Sequence, residues 1–143
     1  MNRRKTLMRA VGRVRRAWSS HVREIALAEG IPDSYRTVFL FLDRHPGSSQ
    51  RSVAEFAGVT TSAVNQTVKS MLEEAYLHKE VDATDKRNTK LYLTEKGTAV
   101  AAKLRKKLDA SDDAITALIG TEKEAELSAF LEQLAQYIGK DLA

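Results

Sequence analysis

Thr61, Ser62, Asn65, Gln66 and Lys69 share one face of a predicted helix whose other face carries Val64, Val68, Met71 and Leu72. Short hydroxyls, amides and an ammonium at this spacing suit base edges and phosphates in a DNA major groove. Ser49, Gln50 and Thr60, near the starts of this helix and the one before it, join them as DNA-binding candidates. A helix N-terminus with free N–H groups can itself meet a phosphate. Downstream, Lys79 and the run Asp85, Lys86, Arg87 add charge within a predicted hairpin. An arginine at such a tip can enter a narrow, electronegative minor groove. Asp85 cannot favour a phosphate, so it is expected to orient Arg87 through an ion pair.

These groups need a scaffold that holds two helices at a steep angle. The stretch 47–60 predicts a short helix capped by Ser49, with Val53, Phe56 and Ala57 inward and Gly58 supplying the left-handed residue that closes it. Ala54, Gly58 and Val64 put small or β-branched residues where the two helices approach. Residues 77–81 and 89–93 predict strands joined by the polar loop DATDKRN, a charged hairpin directly after a helix-turn-helix.

The flanking segments read as helices. Leu7, Val11, Val14, Trp18, Val22 and Ile25 form a stripe along residues 3–28, with Arg3, Arg4, Lys5, Arg9, Arg13, Arg15, Arg16 and Arg23 on the remaining faces. Gly30 and Pro32 end that helix. Residues 34–45 predict a buried helix around Val38–Leu42. Thr94 caps a helix from about 95 to 119, and Gly120 breaks it. Thr121 with Glu124 predicts a capping box opening a last helix with Leu127, Phe130, Leu131, Leu134 and Ile138 inward.

Charge is divided along the chain. Residues 1–108 hold 21 Lys and Arg against 11 Asp and Glu, whereas residues 109–143 hold 2 against 8. The first part suits a polyanion; the second does not. With no cysteine, disulfides, thiolate metal sites and thiol redox sensing are excluded. His21, His45 and His78 show no metal-ligand spacing, and no nucleophile motif or phosphate loop is present. A non-enzymatic protein without cofactor or metal is expected. No apolar run approaches the roughly 20 residues of a membrane span, and the basic start lacks a secretory apolar block, so a cytoplasmic protein with no membrane partner is expected.

Residues 34–97 resemble the DNA-binding lobe of the MarR (multiple antibiotic resistance regulator) family. The likeness rests on SSQRSVAEFAGVTTSAVNQTVKSMLEEAYL, the wing motif Asp85–Arg87 and LTEKG at Leu93–Gly97. It implies a homodimer that grips a short inverted repeat and usually represses nearby genes, with release by a small aromatic effector in many members. Two residues depart from the pattern. Ala75 stands where glycine is usual, which costs about 1 kcal/mol if φ is positive there, or else the turn differs. Lys79 stands where arginine is common, keeping charge but losing bidentate geometry.

The expected architecture is mainly α with a small β-hairpin wing. It divides into an N-terminal dimerisation helix (1–30), a winged helix-turn-helix lobe (31–94) and C-terminal dimerisation helices (95–143). The terminal apolar stripes exceed what a small lobe can cover, and pairing about a two-fold axis is the simplest solution. Two recognition helices about 34 Å apart then predict a pseudo-palindromic operator on double-stranded DNA. Trp18 and His21, one turn apart, are the ligand-binding candidates. The competing reading is a winged-helix protein-interaction module without sequence-specific DNA binding.

Overall fold

The computed structural model describes residues 6–142. Its element order is α1 (Thr6–Ala28), α2 (Asp33–Arg44), α3 (Gln50–Ala57), α4 (Thr61–Glu73), β1 (Leu77–Val81), β2 (Thr89–Leu93), α5 (Glu95–Ile119) and α6 (Thr121–Asp141). Mainly helical content with one antiparallel hairpin matches the expected winged helix-turn-helix. Arg3, Arg4 and Lys5 of the predicted first helix lie outside the described residues.

The described residues up to 106 form one compact unit and those from 107 onward another, the division falling within α5. In the first unit, Phe39, Leu42, Val53, Val68, Met71, Leu91 and Leu104 are fully buried, so α2, α3, α4, β2 and the start of α5 share one core. Burying a side chain of this size contributes roughly 1.5–3 kcal/mol, which is why α2, apolar nearly all round, lies at the centre. Tyr35, Phe39 and Tyr76 pack edge to face, with ring centroids 5.2–6.5 Å apart. Arg105 of α5 donates to Asp43 of α2 at 3.0 Å, tying the two helices at the surface.

Phe56 corrects the expected inward face of α3: it is 61% exposed. An eight-residue helix offers few core positions, and Val53 and Ala54 take them. Phe56 instead leans on Phe41, with centroids 4.9 Å apart. The α1 stripe is covered only towards its C-terminus, where Val22, Ile25 and Ala26 are buried; Leu7 and Val14 remain exposed.

In the second unit no residue of α6 is buried, and Leu127, Phe130, Leu131 and Ile138, expected to point inward, are exposed. Two helical segments of this size cannot enclose the stripe by themselves. The expected capping box is also absent. Gly120 is the N-cap of α6 and offers no side chain, while the Glu124 carboxylate accepts from the Thr116 hydroxyl at 2.6 Å instead. Thr116 therefore captures the carboxylate that would have reached back to the helix start.

Candidate nucleic-acid interface

Three caps build the helix-turn-helix. Ser49 Oγ accepts from the Ser52 amide at 3.1 Å and opens α3. Gly58 closes it at φ 67°, in the left-handed region, its amide donating to Ala54 and Glu55 carbonyls. Thr60 Oγ1 then accepts from the Ala63 amide at 3.2 Å and opens α4. Ser49 and Thr60 were expected at the DNA surface, and each carries a structural duty as well. The Thr60 hydroxyl, accepting in its cap, still has its O–H to donate, whereas Ser49 Oγ and Ser52 Oγ share a hydrogen bond at 3.1 Å. Gln50 is the first residue of α3 and is half-buried.

Val64, Val68 and Met71 anchor α4 in the core, which turns Thr61, Ser62, Asn65, Gln66 and Lys69 to the outside, all exposed. The five lie within an arc of about 140° at 100° per residue.

The hairpin register is Leu77↔Leu93, His78↔Tyr92, Lys79↔Leu91, Glu80↔Lys90 and Val81↔Thr89. Lys79 is exposed near the base of the wing, and His78 stacks on Tyr92 at 5.3 Å. A third short partner completes the sheet: Ser48 bridges Leu91, whose amide donates to the Ser48 carbonyl at 2.9 Å. The residue leading into α3 is thus bonded to β2, which ties the helix-turn-helix to the wing.

At the wing tip, two aspartates turn inward. Asp82 Oδ1 accepts from the Thr84 amide at 2.9 Å and the Thr84 hydroxyl at 2.8 Å. Those bonds, the backbone one first, hold its carboxyl below the usual range. Asp85 Oδ1 accepts from the Arg87 amide at 3.0 Å, and the Asn88 amide donates to the Asp85 carbonyl at 3.0 Å. The expected Asp85–Arg87 ion pair is therefore corrected: Asp85 meets the backbone of Arg87. A short carboxylate reaches the amide two residues on without freezing a long side chain. Among the described residues neither Lys86 nor Arg87 joins an ion pair, and both are exposed.

Residues 29–88 match the MarR family, from the end of α1 through the wing tip. That stretch is similar to the winged helix of MarR-family regulators. Over 60 residues it is 30% identical to the HTH-type transcriptional regulator PetP of Rhodobacter capsulatus, covering 42% of this chain and 36% of PetP. The chain thus spans about a third of that curated relative. Solved structures extend the fold further. The transcriptional repressor CouR, bound to a 23-mer DNA duplex, superposes with a TM-score of 0.75 at 24% identity, covering 88% of this chain and 89% of CouR. NadR, in complex with 4-hydroxyphenylacetate, superposes with a TM-score of 0.78 at 19% identity, covering 94% and 96%. At these identities the likeness is one of fold.

The junction behind the wing accounts for the LTEKG run. Thr94 Oγ1 donates to the Ala75 carbonyl at 2.6 Å and accepts from the Gly97 amide at 3.1 Å, capping α5. A Cβ at Gly97 would collide with the Tyr76 carbonyl oxygen, so only glycine fits. Lys96 donates to the Glu74 carbonyl at 2.8 Å while lying over the Tyr76 ring. Ala75 sits at φ 60°, so of the two alternatives the positive-φ turn is the one formed. Tyr35 donates to Glu74 at 2.5 Å, and burial, then this bond, push its phenol above 10.0.

Trp18 is half-buried and His21 exposed, with ring centroids 5.7 Å apart. Neither borders the cavity of about 250 Å³ between α2, α3 and α4, which Asp33, Thr37, Val53, Val59 and Thr67 help to line. Sequence reasoning missed the Ser48–Leu91 bridge and the turn role of Asp82. The Asp-x-Thr spacing at 82–84 signalled the second; nothing local signals the first.

Proposed function

We propose that this chain is a sequence-specific DNA-binding transcription regulator, acting as a dimeric repressor of a pseudo-palindromic operator. One observation carries the reading: the exposed Thr61–Lys69 face and the outward Arg87 tip belong to a single bonded lobe, through Ser48 and Leu91. That arrangement suits adjoining major and minor grooves. The proposed DNA-binding set is Ser49, Gln50, Thr60, Thr61, Ser62, Asn65, Gln66, Lys69, Lys79, Lys86 and Arg87, with Asp85 shaping the tip.

Dimerisation is supported by the apolar residues that one chain leaves uncovered, among them Leu7, Val14, Leu118, Leu127 and Phe130. Patches of this kind mark interaction surfaces. The lobe at 31–94 then reads DNA while 1–30 and 95–143 pair the copies. A small aromatic effector near Trp18 and His21 would act by changing the separation of the lobes, with a coupling of about 1–3 kcal/mol.

Selection of bound fragments from random DNA tests the reading: an inverted repeat with half-sites one duplex turn apart is expected. Absence of any enriched symmetric site refutes it. Arg87→Ala is expected to weaken operator binding at physiological salt with the fold intact, and unchanged affinity removes the wing from the account.

A further inference from the structure

The arginines of α1 are not used by the interface above. Arg9, Arg13, Arg16 and Arg23 are all exposed and fall within an arc of about 80° at 100° per residue. Leu7, Val11, Val14, Trp18, Val22 and Ile25 occupy the opposite side. From Arg9 to Arg23 the stripe runs about 21 Å at 1.5 Å per residue. The only acid on α1 is Glu24, beyond the last arginine of the stripe. None of the ion pairs among the described residues involves these four side chains.

We infer that this arginine stripe is a second polyanion-binding surface, contacting the phosphates of duplex DNA independently of sequence and apart from α4 and the wing. The inference rests on the DNA-binding reading above. Four guanidiniums in a row place positive charge along a line, and each presents a planar donor fork that matches phosphate oxygens. A line of charge about four turns of helix long matches a charged backbone better than a single small anion.

A lipid surface fits less well. An interfacial helix inserts the apolar face that lies opposite its basic one. On α1, Val22 and Ile25 of that face are buried in the protein, and the proposed dimer would cover the exposed Leu7 and Val14. With its apolar side engaged in this way, the helix is left to act through its basic side by charge alone.

The test compares the full chain with a variant carrying Arg9→Gln, Arg13→Gln, Arg16→Gln and Arg23→Gln, and with one carrying lysine at the same four positions. Binding to a random-sequence duplex is followed by anisotropy between about 50 and 200 mM salt. The glutamine variant is expected to show a slope of log affinity against log salt shallower by about 0.9 per lost phosphate contact, roughly 3–4 if all four engage. The lysine variant is expected to keep the slope of the unaltered chain. Circular dichroism confirms that both remain helical, since all four side chains are exposed. An unchanged slope in the glutamine variant overturns the inference. Loss of binding to phosphatidylserine–phosphatidylcholine vesicles with an unchanged DNA slope overturns it in favour of a lipid surface. If the unaltered chain selects an operator yet the slopes agree, this inference alone fails; if it binds no DNA, the proposed function fails with it.

Discussion

Ala75→Gly is expected to stabilise the protein, a sign opposite to that of most alanine-to-glycine changes. Ala75 sits at φ 60°, where its Cβ crowds the following carbonyl. A left-handed conformation costs an L-residue roughly 1–2 kcal/mol. Glycine removes that cost but loosens the unfolded chain, which offsets about 0.4–1 kcal/mol. Ala75 is exposed, so deleting its methyl sacrifices little burial, and its carbonyl keeps the bond from Thr94. The net gain is about 0.5–1 kcal/mol. With an unfolding entropy of about 2.1 cal/mol/K per residue over the chain, that raises Tm by about 2–3 °C. Calorimetry and urea melts read the effect, with Ala114→Gly as the control. Ala114 is exposed within α5, so there the substitution is expected to cost about 1 kcal/mol. Equal destabilisation at both positions would refute the strain argument.

Gly97→Ala drives a methyl into the Tyr76 carbonyl, and overpacking of this kind costs about 1–3 kcal/mol, read by chemical denaturation. Thr94→Val removes the α5 cap and the bond to Ala75, with an expected loss of about 1–2 kcal/mol in the same assay. The phenol of Tyr35 is raised above 10.0 by burial and then by Glu74. Its contribution is present in full below pH 10.0 and is lost as pH rises through the folded value, so Tyr35→Phe should flatten the alkaline limb of the stability profile. Asp82 is shifted the other way by Thr84. Its support of the wing tip is present above the ordinary carboxylate range and is lost as pH falls through the depressed folded value, so acid should lower the protection factor of the Thr84 amide relative to its intrinsic exchange rate, and Asp82→Asn should remove that response.

Local signals carried a large share of the architecture. Gly58 and the hydroxyls of Ser49 and Thr60 mark helix ends because capping involves only residues three or so apart, and the hairpin strands follow from period-two alternation. The candidate recognition face was legible for the same reason: Val64, Val68 and Met71 recur at helical spacing, which leaves Thr61, Asn65 and Lys69 on the other side. Competition between partners was not legible. Glu124 prefers Thr116 to a capping role, Asp85 takes an amide rather than a guanidinium, and Phe56 yields the core to Val53 and Ala54. Each outcome depends on which groups the folded backbone brings within reach, and that is a property of assembled geometry.

What the residues determined unaided was the set of helices, the wing and the chemistry displayed on them, since periodicity and capping act over a few positions. Tertiary structure alone decided that Ser48 would bond to Leu91 and that Glu74, Ala75 and Tyr76 would be held against Lys96 and Thr94. Those contacts join segments about 20 to 40 residues apart. Their formation is governed by the closure of a shared core, which no local pattern records.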